Sequence, residues 1–535
     1  MHPIVNVTGE ERSNKVSDNS TYPSTQLDRY EPFHSTSLTY IYTNTEVFSK
    51  YDLQSNGVTQ EIWQDPLTPG NVHGCFMKSD QDAGWTDRTV VYIFSTDFGA
   101  TWNNLGNVPT SGIRSGFGAI TGLSNGAALI ACHTADGGGT VRTQAYADLG
   151  AGFGAFVRLD PGASPGGDAI WPRIIATSSI TNPVKFVVTA SINSTSEDLT
   201  YTNTGTSLTT PGTFNGWVQY QSANAETYSF ARGDDGRIGN AYLGGGADLE
   251  GDVLYRFSTD NGLTWSSPTT AWNSNFTTDS LGAVRGVTMS YLGNVPYVAF
   301  ETGHIAAGSY VPGLPSQIRI WSPSINGGTP KIIADSSTVP FYPNITLPDV
   351  LFPIARPSIG KSSSGNALVV SFVSTTANYN ADTVNFFGGW LTYSTNAGNI
   401  WSTPERSTPT VPIRDWRYLC VSPTNNVLGS IMKVQMLGQS DSIPGSLPNG
   451  ALPGKAQCFG ITTDIVVTTG INTISTIVPG QFSLAQNFPN PFNPSTSIRF
   501  DIRNSDRVTL KVYNTTGQEV ASLINNEIVS AGTKE

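Results

Sequence analysis

The chain has 535 residues, of which 55 are glycine and 33 are proline, and only 13% of its residues are charged. Its 29 Lys and Arg against 40 Asp and Glu give a formal net charge of −11. This balance argues against a nucleic-acid or anionic-membrane binder, because such proteins usually need a broad positive field. The sequence has no run of eighteen apolar residues, so we expect no membrane-spanning helix.

The pattern of apolar residues predicts an all-β protein. Helical spacing of apolar residues never persists over a dozen residues without a glycine or proline. Short runs rich in β-branched and aromatic residues alternate with turn residues instead, as in 366–373 and 389–394. A chain of this length can bury a large core, here as several small units rather than one globule.

Residues 1–35 are polar, with scattered Ser, Asn and Asp. We interpret them as an N-terminal leader that precedes the folded part. Their first residues, Met-His-Pro-Ile-Val, lack the basic and apolar regions of a signal peptide.

An eight-residue pattern occurs three times in the middle of the chain. It reads Ser-Thr-Asp-Phe-Gly-Ala-Thr-Trp at 95–102, Ser-Thr-Asp-Asn-Gly-Leu-Thr-Trp at 258–265 and Ser-Thr-Asn-Ala-Gly-Asn-Ile-Trp at 394–401. The Asx side chain can accept hydrogen bonds from turn amides, the glycine supplies positive φ, and the tryptophan can fill the space between strands. We assign this structural role to Ser95, Asp97, Gly99, Trp102, Ser258, Asp260, Gly262, Trp265, Ser394, Asn396, Gly398 and Trp401.

Weaker copies of the pattern extend it along the chain. The six Asx positions are 97, 148, 203, 260, 326 and 396, a period that is typical of four-stranded blades with loops of varied length. The motif Ser-x-Asp-x-Gly-x-Thr-Trp resembles the Asp box, or BNR repeat, of sialidase-like β-propellers. The resemblance implies a β-propeller over residues 36–475.

Seven short segments have the character of a first, innermost blade strand. We therefore expect seven blades, with six or eight as the alternatives. The segment 37–63 lacks a first strand of its own, so it is predicted to add an outer strand to the last blade and close the ring. Six of these seven segments carry an arginine at the corresponding position, and the seventh carries a histidine. These residues are His73, Arg114, Arg173, Arg232, Arg285, Arg356 and Arg417.

Innermost strands line the axial channel, so we expect these seven side chains at similar heights around one axis. Two interpretations are open. Each arginine can pair with a carbonyl or carboxylate of a neighbouring blade, such as Asp168, Asp234 or Asp415, and hold the blades together. Alternatively, the arginines form a ligand-binding site for an anionic group, because crowded guanidinium groups repel each other unless acids or a ligand offset them.

The propeller resemblance also raises the alternative of a sialidase-like glycoside hydrolase acting on anionic glycans. Sialidases use three arginines to hold the sialate carboxylate, a Tyr with a Glu partner as nucleophile, and an Asp as acid/base. Glu226 and Tyr228 are the catalytic candidates here, and a plain surface loop is the alternative interpretation of both. The Phe-Arg-Ile-Pro opening of sialidases is missing, and 171–174 is only a scrambled version of it.

The sequence predicts no metal site and no cofactor. It has no His-based zinc cluster, nucleophile elbow or phosphate loop. Its four cysteines are Cys75, Cys132, Cys420 and Cys458. We place Cys420 and Cys458 on the first and third strands of the last blade, about 9.5 Å apart. That separation exceeds the reach of a disulfide, which favours buried free thiols.

The C-terminal region carries a second motif. Residues 484–494 read Leu-Ala-Gln-Asn-Phe-Pro-Asn-Pro-Phe-Asn-Pro, and 508–520 read Val-Thr-Leu-Lys-Val-Tyr-Asn-Thr-Thr-Gly-Gln-Glu-Val. Both closely resemble the type A C-terminal sorting domain of type IX secretion, with Phe488 where the family usually has Tyr. The resemblance implies a small β-sandwich over 482–535, a linker at 476–481, and the secretion machinery as partner. Family members continue past the Ala-Gly-Thr region, so we expect an incomplete domain at Glu535 and a missing signal peptide.

These patterns predict a bacterial protein of the outer cell surface or the extracellular space. A binding or structural role, such as glycan attachment or a part in a surface layer or filament, is favoured over catalysis. The expected partners are anionic glycans or further copies of the same chain, and not nucleic acid.

Overall fold

The computed structural model shows a seven-bladed β-propeller followed by a small β-domain. It describes residues 37–535 except 137, 178–184, 193–198, 245–250, 275–280, 307–308, 344–350, 381, 468–472, 476, 492–495 and 530. The predicted leader, residues 1–35, lies outside the described residues. Within them, regular structure consists of β-strands and two short 3₁₀ turns, Asn326–Gly328 and Leu447–Asn449. No described helix is long and apolar enough to cross a membrane.

The main strands of each blade are antiparallel, and consecutive strands lie side by side from the axis outward. The first strand of the chain, β1 (Tyr40–Ser49), belongs to the last blade. Blade 1 consists of β2 (Ile62–Gln64), β3 (Val72–Lys78), β4 (Thr89–Ser95) and β5 (Asn103–Val108). Blade 2 consists of β6 (Ser115–Gly122), β7 (Ala128–Thr134), β8 (Arg142–Asp148) and β9 (Phe156–Leu159). Blade 3 consists of β10 (Ala169–Ala176), β11 (Phe186–Ile192), β12 (Leu199–Ser207) and β13 (Thr213–Phe214).

The later blades have longer strands and more interruptions. Blade 4 consists of β14 (Val218–Arg232), β15 (Ile238–Gly244), β16 (Val253–Ser258) and β17 (Thr269–Trp272). Blades 3 and 4 are joined by pairing of β12 with β14. Blade 5 consists of β18 (Leu281–Gly282), β19 (Val287–Leu292), β20 (Val295–Ala306), β21 (Ser309–Tyr310), β22 (Gln317–Trp321) and β23 (Lys331–Ala334). Blade 6 consists of β24 (Ile354–Ser362), β25 (Leu368–Tyr379), β26 (Asn385–Ser394) and β27 (Glu405–Arg406). The two-residue strand β29 (Thr424–Asn425) pairs in parallel with β24 at the inner edge of blade 6. Blade 7 consists of β28 (Asp415–Val421), β30 (Val427–Leu428), β31 (Ile431–Asp441) and β32 (Ala456–Val466), together with β1.

The ring is closed by β1, which pairs with β32 and supplies the outermost strand of blade 7. Neighbouring blades touch all the way round, because each innermost strand packs on the next blade and β2 packs on β31. The predicted seven blades and the predicted outer strand from segment 37–63 are therefore confirmed.

One detail of the predicted ring is wrong. The N-terminal segment also supplies β2, the innermost strand of blade 1, which pairs with β3 so that Trp63 lies opposite His73. His73 is therefore on a second strand and not on a first strand. The three-residue β2 is too short to give a strand signal in the sequence, whereas β3 is longer and almost entirely buried.

The hydrophobic core lies between the blades. Tyr92 of blade 1 and Ile130 of blade 2 belong to one buried cluster, which also contains Cys75 and Cys132. Strands covered on both faces, such as β4 and β7, are buried at every residue, which explains their continuous rather than alternating apolar runs. All four cysteines are buried free thiols, as predicted.

Five innermost strands share a bulge at which their register with the second strand shifts. At this bulge one residue other than glycine adopts a positive φ. The five residues are Phe117 (53°), Trp171 (55°), Glu226 (57°), Arg356 (54°) and Tyr418 (56°). Such a conformation costs about 1–3 kcal/mol at a residue that is not glycine, and all five side chains are buried. We call these five residues the bulge residues.

The three eight-residue motifs lie between the third and fourth strands of blades 1, 4 and 6. In the first, Thr101 donates its backbone N–H to Asp97 Oδ1 at 2.9 Å and its hydroxyl to Oδ2 at 2.7 Å. The Ser95 hydroxyl donates to Asp97 Oδ1 at 2.8 Å and accepts the Gly99 N–H at 2.9 Å. The turn packs on the preceding blade, where Gly99 faces Gln435.

The other two motifs repeat this geometry. Asp260 accepts the Thr264 N–H at 2.9 Å and the Ser258 hydroxyl at 2.7 Å, and Asn396 accepts the Ile400 N–H at 2.8 Å. Partial burial alone would raise the pKa of Asp260, but hydrogen bonds from Thr264 and Ser258 hold that pKa below its ordinary value. The same balance lowers the pKa of Asp97. The predicted turns, with their Asx side chains bonded to backbone amides, are confirmed.

The C-terminal domain is a two-sheet sandwich, as predicted. One sheet has the order β33-β38-β35-β34 and the other pairs β36 with β37, and they enclose Phe500, Ile502, Ile524 and Val529. Because β33 pairs with β38, the sheet begins before the predicted linker 476–481, inside the range assigned to the propeller. The strands are β33 (Thr473–Ser475), β34 (Ser483–Leu484), β35 (Phe500–Ile502), β36 (Asp506–Tyr513), β37 (Glu519–Val529) and β38 (Gly532–Lys534).

We expect Asp260→Ala to lower the free energy of unfolding by about 1–2 kcal/mol, because the Thr264 amide and two hydroxyls lose a charged acceptor. Asp260→Asn should cost less, since Asn396 serves in the equivalent turn of blade 6. The control is Asp382→Ala, which removes an exposed loop carboxylate. Urea unfolding followed by tryptophan fluorescence measures the difference, and equal stability of the Asp260→Ala and Asp382→Ala proteins would contradict the assigned role.

Candidate functional site

The stretch between β1 and β2 runs through the centre of the ring. We call residues 51–61 the central segment, and all of them except Gln60 are buried. Its side chains and backbone bond the innermost strands of blades 2, 3, 4, 6 and 7. Beside blade 5, a Cβ on Gly57 would lie 2.4 Å from the Glu226 carbonyl oxygen and 3.3 Å from that of Arg285. Only glycine fits at this point. The central segment therefore fills the channel that we expected the arginines to line.

Glu226, a candidate nucleophile partner, is bound to the central segment. Its Oε2 accepts the Asn56 backbone N–H at 2.6 Å and the Asn56 Nδ2 at 3.0 Å. Its Oε1 accepts Arg173 Nη1 at 3.2 Å, and the exposures of the two side chains are 0% and 3%. Both carboxylate oxygens are thus occupied inside the protein.

Tyr228 is turned towards blade 3. Its hydroxyl donates to the Trp171 carbonyl oxygen at 2.6 Å and accepts from the Ser191 hydroxyl at 3.2 Å. Since Glu226 bonds Asn56 and Arg173, the Tyr–Glu pair of a sialidase nucleophile is not formed. The surface-loop interpretation of these residues is also wrong, because both are buried on the bent strand β14.

The predicted arginines do not occupy equivalent places. The equivalent places are held by the bulge residues, among which Arg356 is the one arginine. Arg114 precedes its bulge residue by three positions and Arg232 follows its own by six, so these side chains lie roughly 30 Å apart along the strand direction at about 3.3 Å per residue. The repeat of Arg in the sequence therefore does not correspond to a ring of guanidinium groups at one height.

Most of these arginines have partners within the protein. Arg173 bonds Glu226, the Ser55 hydroxyl and the Val58 carbonyl oxygen. Arg417 bonds Asp415 Oδ2 at 2.5 Å, but Asp415 lies on the same strand β28 and not on a neighbouring blade as expected. The Arg173 contacts favour the first of the two interpretations, in which the arginines hold the ring together.

His73 lies inside blade 1 and not in the channel. Its Nδ1 is 2.7 Å from the Tyr92 hydroxyl, and its ring packs between Trp63 and Phe94. Burial lowers the pKa of His73 to about 3, so the imidazole is neutral at physiological pH.

A buried acidic cluster at the channel wall was not predicted. Asp415 and Asp441 lie opposite each other on β28 and β31, and Asp52 of the central segment accepts the Leu447 N–H at 2.7 Å. Burial raises the pKa of all three carboxyls, and that of Asp441 reaches about 6, with the Asp415 charge adding to the effect. Nothing in the sequence spacing relates residue 52 to residues 415 and 441.

A groove opens on the outer surface, at the seam between the last and first blades. Its volume is about 570 Å³, within the range of small-molecule sites. The walls carry Asp97, Phe98, Tyr393, Lys433 and Asp464. Among the described residues, no group of three or more His, Cys, Asp or Glu has a geometry suited to a metal ion.

No protein-family model and no curated protein matches this chain. Solved structures do match. A protein of unknown function from Dyadobacter fermentans aligns at 14% identity and a TM-score of 0.38, covering 65% of this chain and 98% of that one. The polysaccharide lyase Uly1 aligns at 10% identity and 0.41, covering 77% and 90%. An alpha-L-arabinofuranosidase from Fusarium graminearum aligns at 12% identity and 0.39, covering 65% and 96%.

We expect Glu226→Ala to destabilise the protein by about 3–5 kcal/mol, because it leaves Arg173 buried without its carboxylate. Glu226→Gln should cost less, since the amide oxygen can still accept from Asn56. The control Glu46→Ala removes an exposed carboxylate of β1. Urea unfolding measures all three variants, and a Glu226→Ala protein as stable as the wild type would contradict a structural role.

We expect Asp441→Asn to stabilise the protein at pH 7 and to have little effect near pH 4. The folded pKa of about 6 exceeds the unfolded value of about 3.9. The protonated carboxyl therefore contributes stability below pH 4 that is lost as the pH rises through 6. The gain of Asp441→Asn at pH 7 should be about 1–3 kcal/mol.

Urea unfolding at pH 4, 5, 6 and 7 measures this dependence. Asp415→Asn is the control, and it should destabilise the protein because it removes the carboxylate that Arg417 bonds. Parallel pH profiles for Asp441→Asn and the wild type would disprove the raised pKa.

Proposed function

We propose that this chain is an extracellular or surface-exposed propeller that acts through binding or assembly and not through catalysis in its channel. The observation that carries the proposal is the central segment. It fills the axial channel, donates to Oε2 of Glu226 through Asn56, and accepts from the Arg173 guanidinium through Ser55 and Val58. The other carboxylate oxygen of Glu226 is bonded by Arg173. A substrate can reach these groups only if the central segment, which continues into β2, leaves the channel.

Export by type IX secretion is supported by the tail. The motif at 484–494 and the pattern at 508–520 resemble a type A sorting domain, and the strands of this region form a sandwich with its own core. The secretion machinery would recognise this C-terminal domain, and the propeller would carry out the function of the protein outside the cell.

A glycan ligand would bind on the outer surface of the ring. The groove at the seam of blades 7 and 1 offers the half-buried ring of Phe98, with the mostly buried Tyr393 behind it, beside the charged pair Lys433 and Asp464, whose Nζ and Oδ2 atoms lie 2.7 Å apart. Aromatic faces with a few polar groups are a common combination in small-molecule sites. Copies of the same chain are the other expected class of partner.

We expect the chain, expressed behind a signal peptide in cells that have type IX machinery, to reach the outside of those cells. The same chain without residues 473–535 should stay in the periplasm. Immunoblots of medium, surface and periplasm measure the distribution, with a cytosolic marker as the control for lysis. Equal export of both chains would refute the sorting role.

We also expect no release of product from sialosides or from uronate glycans. The assay compares the wild type with Glu226→Gln. If the wild type cleaves one of these substrates and Glu226→Gln does not, the glycosidase alternative replaces the binding role. This conclusion is independent of the export experiment.

A further inference from the structure

Phe98 occupies an unfavourable position in the eight-residue motif of blade 1. Its φ is 60°, and the equivalent residues in the motifs of blades 4 and 6, Asn261 and Ala397, have φ values of 61° and 58°. Asparagine tolerates this left-handed conformation, whereas a bulky aromatic residue rarely adopts it. The backbone of the turn therefore favours asparagine over phenylalanine at this position.

The Phe98 ring faces the groove at the seam between blades 7 and 1. It is half-buried and forms part of the groove wall, whereas Asn261 and Ala397 do not line the groove. With a volume of about 570 Å³, the groove has room for a small organic ligand. The copy of the motif that borders this space is thus the one with an aromatic ring at the strained position. Strained residues of this kind are characteristic of ligand-binding sites.

Blade 7 supplies the floor of the groove through the face that packs on this turn. A Cβ on Gly99 would lie 2.9 Å from Gln435 Oε1 and 3.3 Å from Thr462 Cγ2, and these two residues are opposite each other on β31 and β32. Lys433 and Asp464 form the next pair on the same face, about 7 Å along the strands. Their Nζ and Oδ2 atoms are 2.7 Å apart, and their side chains are 30% and 55% exposed. The groove thus brings an aromatic ring and an accessible pair of opposite charges to one space.

The charges of the groove disfavour an acidic ligand. Its walls carry two carboxylates, Asp97 and Asp464, and one ammonium group, Lys433. Because Lys433 is already paired with Asp464, an anionic group would meet an excess of negative charge. A hydroxyl group meets no such repulsion, since it can donate to Asp464 and accept from Lys433. Adjacent hydroxyl groups on an uncharged ring are therefore the best match for this pair.

We propose that the groove binds an uncharged saccharide. One apolar face of a sugar ring packs on Phe98, and hydroxyl groups of the saccharide bond Lys433 and Asp464. Hydrogen bonds to charged groups are about twice as strong as those between neutral groups, and the Phe98 ring adds apolar contact area. The inference rests on the proposed binding role of the groove, and it narrows the ligand from glycans in general to neutral ones.

Binding of matched neutral and acidic glycans tests the class of ligand. Isothermal titration of the wild-type protein compares dextran with dextran sulfate and methyl-esterified with free polygalacturonate, beside neutral oligosaccharides of glucose, mannose, galactose and arabinose. We expect binding of at least one neutral saccharide, and weaker binding or none of the acidic member of each pair. Binding of no neutral saccharide would overturn the proposal, and so would tighter binding of an acidic member than of its neutral counterpart.

Phe98→Asn tests the contact with the ring. The variant carries the residue that blade 4 has in its own motif, so the turn should form and the melting temperature should not fall. The affinity for the neutral saccharide should fall about tenfold, because the apolar contact is lost. Leu263→Ala is the matched control, since Leu263 is 46% exposed in the motif of blade 4, and it should bind the saccharide like the wild type. An unchanged affinity of Phe98→Asn would contradict the proposal.

Asp464→Asn separates neutral from acidic ligands by the sign of its effect. A neutral saccharide loses a charged acceptor and binds more weakly, whereas an acidic ligand is relieved of repulsion and binds more tightly. Tighter glycan binding by Asp464→Asn would therefore disprove the neutral ligand. Self-association of the wild type that Phe98→Asn abolishes would also disprove it and assign the groove to a second copy of the chain.

Two outcomes distinguish the neutral ligand from the proposed function itself. An acidic glycan that binds the wild type but not Phe98→Asn would overturn the neutral ligand and leave the binding role intact. Glycan cleavage that depends on Glu226 would overturn the proposed function, and it would leave a neutral saccharide in the groove unaffected.

Discussion

The packing of the central segment against the innermost strands is the constraint on which the rest of the ring depends. A ring of seven twisted sheets leaves a space at its axis, and the bulges there aim polar and aromatic side chains into it. Residues 51–61 fill this space and supply partners for Glu226, Arg173 and the Tyr418 carbonyl oxygen. Without the segment, the Glu226 carboxylate and the Arg173 guanidinium would keep only each other and the Pro172 carbonyl oxygen as partners. Such a pair rarely offsets the free energy lost when both charges leave water.

The repeating part of this fold could be predicted from the sequence, and the non-repeating part could not. The Asx turns were found because Asp97, Asp260 and Asn396 act locally, each bonding atoms within four residues along the chain. Most of the channel contacts join residues more than a hundred positions apart, such as Asn56 and Glu226, and no local pattern marks them. The arginines do not share one height because Arg114 lies three residues before its bulge residue and Arg232 six residues after its own, and the sequence does not show where a bulge lies.

The bulge residues show what the propeller gains from a strained backbone. A positive φ at Trp171 or Tyr418 costs about 1–3 kcal/mol. In return the bulge turns the side chain towards the axis, whereas a regular strand would turn it into the blade. The cost is offset by burial of large aromatic groups against the central segment, where Phe117, Trp171 and Tyr418 share a cluster with Tyr51. A glycine would relieve the strain and lose that packing.

Closure of the ring and filling of the channel are coupled, because one continuous stretch of the chain is responsible for both. Strand β1 completes blade 7, the central segment follows immediately, and β2 then begins blade 1. Separating the first blade from the last would therefore require withdrawal of the segment from the innermost strands of the other blades. The seam between the first and last blades is therefore held by the buried contacts of the central segment as well as by the pairing of β1 with β32.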